Sequence, residues 1–209
     1  MDKHIIADID GRLGNQMFQY AFIRALRDKW YKDYKIELCF RMIENRSGGG
    51  GTDGWVNSLS DFTLNQYVDV IENLRLPLRL KILAGIHYIG KRALGKILKN
   101  GRKIWEDKFQ RFLNHGGIYA MRQSALVNVF PSKEKTIYCR GRFEAHDYFD
   151  SVREQLLDDF TPIHAPLVHN KNLYKQILNT ESVCITIRRG DFLDKGNEAF
   201  NVCTPDYFY

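Results

Sequence analysis

Short apolar runs and longer runs of helical periodicity alternate along most of the chain. The segments His4–Ile9 and Lys35–Phe40 have the length and the composition of β-strands. Between them, Met17–Trp30 carries apolar side chains at helical spacing, namely Met17, Phe18, Ala21, Phe22, Ala25 and Leu26. Strand, glycine-containing turn, helix and strand in this order predict an α/β fold.

The second half of the chain continues this alternation. The pattern predicts a strand, two helices and a further strand over Thr136–Arg140, Glu144–Phe160, Leu167–Leu178 and Ser182–Ile187. The segment Thr161–Pro166 contains two prolines and interrupts the pattern, which makes it the best linker in the sequence. We therefore expect one domain over residues 1–160 and the beginning of a second over residues 161–209.

A basic stretch, residues 75–111, is predicted to be a helical excursion from the first domain. Its lysines and arginines alternate with apolar residues, and no acid precedes Glu106. One interpretation is a basic amphipathic helix that lies on an anionic membrane surface. The other is a solvated helical excursion that packs on its own domain. Nucleic acid is a weaker alternative, because aromatic residues are not interleaved for base stacking.

Composition and charge narrow the class of protein. The 209 residues are 44% hydrophobic, enough for a sizeable core, and the net charge of +6 favours an anionic partner. The four cysteines lack C-x-x-C spacing and are expected to be free thiols in a reducing compartment. The sequence shows neither a signal peptide nor a run long enough to span a membrane. These features predict a cytoplasmic protein.

The turn Asp10–Gln16 is the first candidate for chemistry. It follows a predicted strand, precedes a predicted helix and contains Gly11 and Gly14. Backbone N–H groups and a helix N-terminus in this layout can receive an anion. The turn is not the dinucleotide fingerprint, because a third glycine is missing and Arg12, Asn15 and Gln16 occupy it instead. The alternative is a tight turn that merely closes a strand–helix unit.

The stretch Cys184–Phe192 is the second candidate. A predicted strand leads directly into Arg188 and Arg189, which would lie at its carboxyl end, where open α/β sheets bind ligands. The guanidinium fork matches phosphate oxygens, Gly190 permits a sharp turn, and Asp191 can hold a guanidinium in place. The pattern therefore indicates a site for a phosphate-bearing ligand. An ordinary surface ion pair is the alternative.

The last residues of the sequence predict the start of a helix. Thr204, Pro205 and Asp206 form an N-cap, a proline at the first helical position and an acid in the first turn. One turn of helix with three aromatic residues, ending at Tyr209, cannot hold itself in place. We therefore expect that the chain lacks a C-terminal part.

Three motifs resemble the signatures of bacterial α-1,2-fucosyltransferases. Gly11-Arg12-Leu13-Gly14-Asn15-Gln16-Met17-Phe18-Gln19-Tyr20-Ala21 is similar to their N-terminal signature. Gly141-Arg142-Phe143 before Tyr148-Phe149 is similar to their second element, and Ile187-Arg188-Arg189-Gly190-Asp191-Phe192 resembles their donor-binding signature. Thr186 departs from the pattern, because many relatives have a histidine there.

The resemblance implies a GT-B-like enzyme, with an N-terminal Rossmann-like domain and the beginning of a second one. Such enzymes move L-fucose from GDP-fucose to a galactoside hydroxyl of a glycan in α-1,2 linkage, with inversion. They use no metal or other cofactor, and the histidines and cysteines of this sequence form no cluster with metal-ligand spacing. The acceptor is expected to be a glycan or a lipid-linked oligosaccharide, which would place the protein at the inner face of an anionic membrane.

The resemblance also implies roles for individual residues. Arg188 would neutralise the departing diphosphate, while Arg189 and Asp191 would hold the loop and the nucleotide in register. Asp191 is also the one candidate for a catalytic base. The implied donor-binding residues are Gly11, Arg12, Gly14, Asn15, Gln16, Arg188, Arg189, Gly190 and Asp191.

Two alternatives to this function remain from the sequence. One is a catalytically inactive, truncated fragment that binds a nucleotide. The other is a basic protein that binds a membrane surface or nucleic acid through residues 75–111.

Overall fold

The computed structural model describes residues 2–43, 56–64, 68–121, 128–164 and 168–183. The chain forms two compact units, Met1–His164 and Ala165–Tyr209. The elements of the first unit are β1 (His4–Asp8), α1 (Leu13–Trp30), β2 (Lys35–Cys39), β3 (Val68–Ile71), α2 (Leu78–Ile97), α3 (Gly101–His115), β4 (Ile118–Tyr119), β5 (Thr136–Cys139) and α4 (Arg153–Asp159). In the second unit, a 3₁₀ turn at Val168–Asn170 leads into α5 (Lys171–Leu178).

The five strands form one parallel sheet in the order β3-β2-β1-β5-β4. Ile5 on the central strand is in register with Ile36 on one side and with Ile137 on the other, and all three are fully buried. Apolar, β-branched residues of this kind suit a parallel sheet that is covered on both faces. The predicted α/β class is confirmed, and the sheet is consistent with a Rossmann-like domain.

The strand order creates a topological switch point beside β1. From β1 the chain proceeds to β2 and β3 on one side, and it then crosses to β4 and β5 on the other. In open parallel sheets, ligands bind outside the carboxyl ends of the strands at such a point. In this chain the segments that follow β1 and β5 occupy that position.

Three predicted helices have different bounds in the structure. The one predicted over Leu167–Leu178 is α-helical only from Lys171, after the 3₁₀ turn at Val168–Asn170. Helix α1 begins at Leu13, not at Met17, so Gly14, Asn15 and Gln16 belong to its first turn. The helix predicted over Glu144–Phe160 is wrong in its first half, where two 3₁₀ turns, His146–Tyr148 and Asp150–Val152, precede α4. The reason is packing, because Tyr148 and Phe149 turn toward α1 and contact Phe22 and Phe18 there.

The predictions for the end of the chain are only partly covered by the structure. In the segment predicted as the last strand, Ser182 and Val183 are in neither helix nor strand, and residues 184–187 lie outside the described residues. Residues predicted as the start of the linker remain attached to the first unit. Thr63 N donates to Thr161 O at 3.0 Å, and Ile163 N donates to Asp61 O at 3.0 Å.

A buried ion network joins the first helix to the last helix of the first unit. The Arg24 Nε atom on α1 donates to Asp159 Oδ2 at 2.9 Å, and the Tyr20 hydroxyl donates to the same oxygen at 2.7 Å. Arg24 also pairs with Asp28 one turn further along α1. Because Arg24 and Asp159 are buried, each of these two charges needs its partner, and their pairing fixes α4 against α1.

The basic stretch forms two helices, α2 and α3, which pack against each other and on β4 and β5. Leu80 and Leu113 contribute one buried side chain from each helix to a small core with Ile118 and Tyr138. Asn100, in the left-handed conformation with φ of 64°, makes the connection between the helices. No helix within the described ranges is long and apolar enough to cross a membrane.

The close approach of these two helices depends on a glycine. A Cβ atom at Gly90 would overlap the Trp105 indole of α3. That ring cannot shift easily, because it stacks on Phe109 with centroids 4.1 Å apart and donates a hydrogen bond to His87 Nδ1 at 3.1 Å. On the same helix, a Cβ atom at Gly85 would meet nothing within 4 Å.

We predict opposite effects of alanine at these two glycines. Gly90→Ala should lower the free energy of unfolding by about 1–3 kcal/mol, because it overpacks the contact between α2 and α3. Gly85→Ala, the matched control, should raise it by about 0.5–1 kcal/mol through helix propensity. Urea unfolding of both variants measures the two values. Equal effects of the two substitutions would contradict this account of the helix pair.

Candidate functional site

A buried carboxylate marks the carboxyl end of the central strand. Asp8 is the last residue of β1, and its side chain is fully buried. Its Oδ2 atom accepts a hydrogen bond from the Tyr138 hydroxyl at 3.3 Å and one from Arg41 Nη2 at 3.3 Å, and it lies 3.8 Å from Arg140 Nη1. Asp8 therefore connects the ends of three neighbouring strands, β2, β1 and β5.

The surroundings of Asp8 determine the protonation of its partners. Burial, together with the negative charge of Asp8, raises the pKa of Tyr138 to about 12, so this hydroxyl stays a donor at physiological pH. Burial opposes the charge on Arg41, but the hydrogen bond and the charge of Asp8 raise the pKa of its guanidinium overall. The side chains of Arg41 and Arg140 remain 41% and 36% exposed, so both can also contact a ligand.

The turn after β1 is held by side chains of its own motif. Asp10 Oδ1 accepts a hydrogen bond from Gly11 N at 2.8 Å. The Gln19 side chain bonds both backbone groups of Asp10, accepting from the N atom at 3.0 Å and donating to the O atom at 2.7 Å. Gly11 has a φ of +91°, and a Cβ atom there would lie 2.6 Å from the Cβ atom of Asn15. Only glycine fits this position without strain.

Gln16 connects the same turn to a distant segment. Its side chain is fully buried and donates to Gly11 O at 3.0 Å and to Val56 O at 2.8 Å. Its Oε1 atom accepts from Ser58 N at 2.9 Å. These contacts use the amide of Gln16 within the chain, so the residue positions the turn.

The remaining signature residues of the turn are open to a ligand. Arg12 occupies the N-cap position of α1 and makes no capping hydrogen bond with its side chain, and the first turn contains no acidic residue. Arg12 and Gly14 are exposed, and a Cβ atom at Gly14 would meet nothing within 4 Å. The partial positive charge of the helix N-terminus and the Arg12 guanidinium together favour an anion at this place.

The second signature packs on α1, where Phe149 meets Phe18 of the first signature with ring centroids 5.9 Å apart. Phe143 is buried and stacks on Phe22 of α1 with ring centroids 3.9 Å apart, and Tyr148 meets the same ring edge-on at 5.2 Å. Arg142 N donates to Met121 O at 2.9 Å, which holds the segment after β5 at the end of the sheet. The aromatic residues of the second signature thus form one cluster with Phe18 and Phe22 of α1.

An exposed histidine lies between the two parts of this second signature. His146 Nδ1 lies 2.9 Å from Asp150 Oδ2, and its Nε2 atom lies 3.8 Å from Asp147 Oδ2. The hydrogen bond to Asp150 and the charges of both carboxylates raise the pKa of the imidazole. The imidazolium form is therefore more populated near neutral pH than in a free histidine.

The structure brings together only one half of the predicted site. Gly11, Arg12, Gly14, Asn15 and Gln16 meet at the start of α1, whereas Arg188, Arg189, Gly190 and Asp191 lie outside the described residues. The predicted roles of this second group stay predictions. Within the described ranges, no group of three or more histidine, cysteine, aspartate or glutamate residues could hold a metal ion.

Sequence reasoning missed the residues around Asp8. An acid inside an otherwise apolar strand was the available signal, because a buried carboxylate requires partners. Arg41 and Arg140 each follow a predicted strand, yet only the strand order shows that they converge. Cys39 and Cys139 were predicted to be thiols outside any disulfide, and both are buried thiols of this kind.

Comparison with known proteins gives one family and one relative. The family model described as Glycosyl transferase family 11 matches residues 65–209. Alpha-1,2-colitosyltransferase of Escherichia coli is 26% identical over 206 residues, which are 98% of this chain and 61% of that protein. The chain therefore spans about three-fifths of the length of this relative. No solved structure matches the chain significantly.

The two glycines of the turn should respond differently to alanine. Gly11→Ala should lower the free energy of unfolding by about 1–2 kcal/mol, because the left-handed φ strains an L-residue. Gly14→Ala should leave it unchanged or raise it by less than about 1 kcal/mol. Urea unfolding tests both values. A large loss of stability in Gly14→Ala would show that this glycine serves packing, and it would weaken its assignment to ligand binding.

Proposed function

This chain belongs to glycosyl transferase family 11, and we propose that the protein transfers L-fucose from GDP-fucose to a galactoside hydroxyl of a glycan in α-1,2 linkage. The family match over residues 65–209 is the observation that carries the proposal of a sugar transferase. The name of the relative from Escherichia coli supports the α-1,2 linkage. The resemblance of three signatures to bacterial α-1,2-fucosyltransferases supports GDP-fucose as the donor and a GT-B arrangement.

In this proposal the turn after β1 receives the donor. Arg12, Gly14 and Asn15 contact the donor diphosphate or sugar, and the exposure of Arg12 and Gly14 at the start of α1 supports this role. An alanine at Gly14 would crowd a ligand but no part of the described chain, which agrees with close approach of a substrate. Gln16 and Gly11 give the turn its shape, and we assign them positioning roles.

The proposed reaction is a single inverting displacement. The acceptor hydroxyl oxygen forms a bond to the anomeric carbon while the bond from that carbon to the diphosphate oxygen breaks. The electron pair of the broken bond leaves with GDP, and the acceptor proton passes to a base, for which Asp191 is the candidate. Arg188 stabilises the charge that builds on the departing diphosphate, a role that needs no metal ion.

The sugar is the least constrained part of the proposal. The relative from Escherichia coli is named for the transfer of colitose, which makes GDP-colitose a specific alternative to GDP-fucose. Side-by-side assays with the two donors at equal concentration decide between them. A clear preference for GDP-colitose would replace the proposed sugar and leave the proposed reaction class intact.

The proposal predicts that transfer depends on Arg188. Arg188→Ala should reduce the rate of fucosyl transfer to a galactoside acceptor by about 10²–10³-fold, because it removes a charge that stabilises the transition state. Arg153→Ala is the matched control, because Arg153 on α4 is exposed and pairs only locally with Glu154 at 3.2 Å. The control should retain its activity, and calorimetry should show weaker GDP binding in Arg188→Ala alone.

Two results would count against this proposal. Normal activity of Arg188→Ala would exclude the role given to this residue. A folded wild-type protein that transfers no sugar from either donor would favour the alternative of an inactive nucleotide-binding protein.

We also propose that the helices α2 and α3 contact the inner face of an anionic membrane, where lipid-linked acceptors would be found. One face of α2 exposes Leu78, Ile82, Ile86 and Ile89, which are 53–72% accessible to solvent. Basic residues such as Arg79 and Lys81 flank this apolar stripe and are exposed as well. A helix of this kind buries its apolar face in the membrane interface and attracts anionic lipids with its charges.

This contact predicts binding to vesicles that contain phosphatidylglycerol. The double variant Ile82→Ser/Ile86→Ser should bind them at least about tenfold more weakly, because it loses apolar surface that would enter the interface. The control Leu157→Ser/Leu173→Ser removes two leucines on other helices, each 54% exposed, and should bind as the wild type does. Co-sedimentation measures both affinities. Equal binding of all three proteins would exclude α2 as the contact.

A further inference from the structure

A basic cavity lies between the helix pair and the edge of the sheet. Its volume is about 470 Å³. Five cationic side chains line it: Lys91, Arg92 and Lys96 from α2, Arg102 from α3 and Arg140 after β5. Ile118, Ala120 and Tyr138 supply an apolar part of the lining, and none of the lining residues that the structure describes carries a carboxylate. Among the described residues, those of the first two family signatures do not line this cavity.

The charges in the cavity are only partly compensated. Lys91 pairs with the buried carboxylate of Glu106, and Arg140 shares Asp8, which lies 3.8 Å away. In the described part of the chain, Arg92, Lys96 and Arg102 form no ion pair with an acidic side chain. Like charges that share one cavity repel each other, and an anion between them removes that cost.

Packing of the two helices fixes part of the cavity wall, with Lys91 and Arg102, before any ligand arrives. The ion pair between Lys91 and Glu106 joins α2 to α3 at the cavity, and the hydrogen bond from Trp105 to His87 joins them one turn away. The Arg102 side chain lies against Gly95, whose missing Cβ atom would sit 2.6 Å from Arg102 Cγ. Pre-arranged charges lose little conformational entropy on binding, which favours affinity.

We propose that this cavity binds a diphosphate group. A single carboxylate would compensate one of the three unpaired cations, whereas two linked phosphoryl groups can contact all of them. Two of the three are arginines, whose guanidinium forks match phosphate oxygens. The apolar lining suits a nonpolar group carried next to the diphosphate.

Two classes of molecule carry a diphosphate group of this kind. A diphosphate can come from a soluble nucleotide or sugar diphosphate, or from a prenyl diphosphate that carries a glycan in a membrane. The proposal concerns binding alone and does not depend on the transferase reaction, so either can fail without the other.

The test is calorimetric titration of inorganic pyrophosphate into the purified protein. Removal of two cations from the cavity, in Lys96→Gln/Arg102→Gln, should weaken binding at least about tenfold, because it removes charge-assisted hydrogen bonds. The matched control is Lys108→Gln/Arg111→Gln, which likewise removes one lysine and one arginine, from exposed positions on α3 outside the cavity. The control should bind within about twofold of the wild type, and thermal melting shows that all proteins fold.

The outcomes separate the two sources and can overturn the proposal. Tighter binding to neutral phosphatidylcholine vesicles that carry a prenyl diphosphate than to free pyrophosphate supports the lipid source. Equal affinity for those vesicles and for free pyrophosphate supports the soluble source. Absence of pyrophosphate binding by the folded wild type, or equal weakening in both double variants, overturns the diphosphate site.

Discussion

The burial of Asp8 is the constraint on which the strand-end site depends. A carboxylate with no solvent access costs several kcal/mol unless cationic and hydrogen-bonding partners surround it. Here the partners are Arg41, Tyr138 and Arg140, which belong to the segments of β2 and β5. They can meet Asp8 only if β1 lies between these two strands and all three run parallel. The order of these three strands therefore also supplies the partners that the buried charge of Asp8 requires.

The N-terminal signature divides into residues that shape the turn and residues that it presents. Gln16 and Gln19 are buried and use their amides on backbone groups of the turn and of residues 56 and 58. Their hydrogen bonds hold Gly11 in a conformation that no other residue adopts readily. Arg12 and Gly14 are left exposed at the positive end of α1. A short motif can therefore contain both a rigid frame and a binding surface, and the two can be separated only in the structure.

The sequence predicted the first three elements, β1, α1 and β2, well, because their apolar patterns were clear and local. The start of α1 was missed because Gly14 and Asn15 are poor helix formers, although both belong to its first turn together with the buried Gln16. The helix predicted from Glu144 failed for a related reason, since its aromatic residues pack on α1 and impose 3₁₀ turns. The convergence on Asp8 depends on strand order, and periodicity along one chain carries no information about that order.

The positive charges of the first unit divide into those that stabilise the fold and those that are available to a ligand. Arg24 and Lys91 are largely shielded from solvent, and each pairs with a buried acid, Asp159 or Glu106, because an unpaired charge there would be costly. Arg12, Arg92 and Arg102 are exposed and have no such partner among the residues that the structure describes. Loss of a paired cation leaves a buried acid without compensation, so the fold resists such changes. Exposed cations carry no such penalty, and their grouping at the helix N-terminus and in the cavity is better explained by an anionic ligand than by stability.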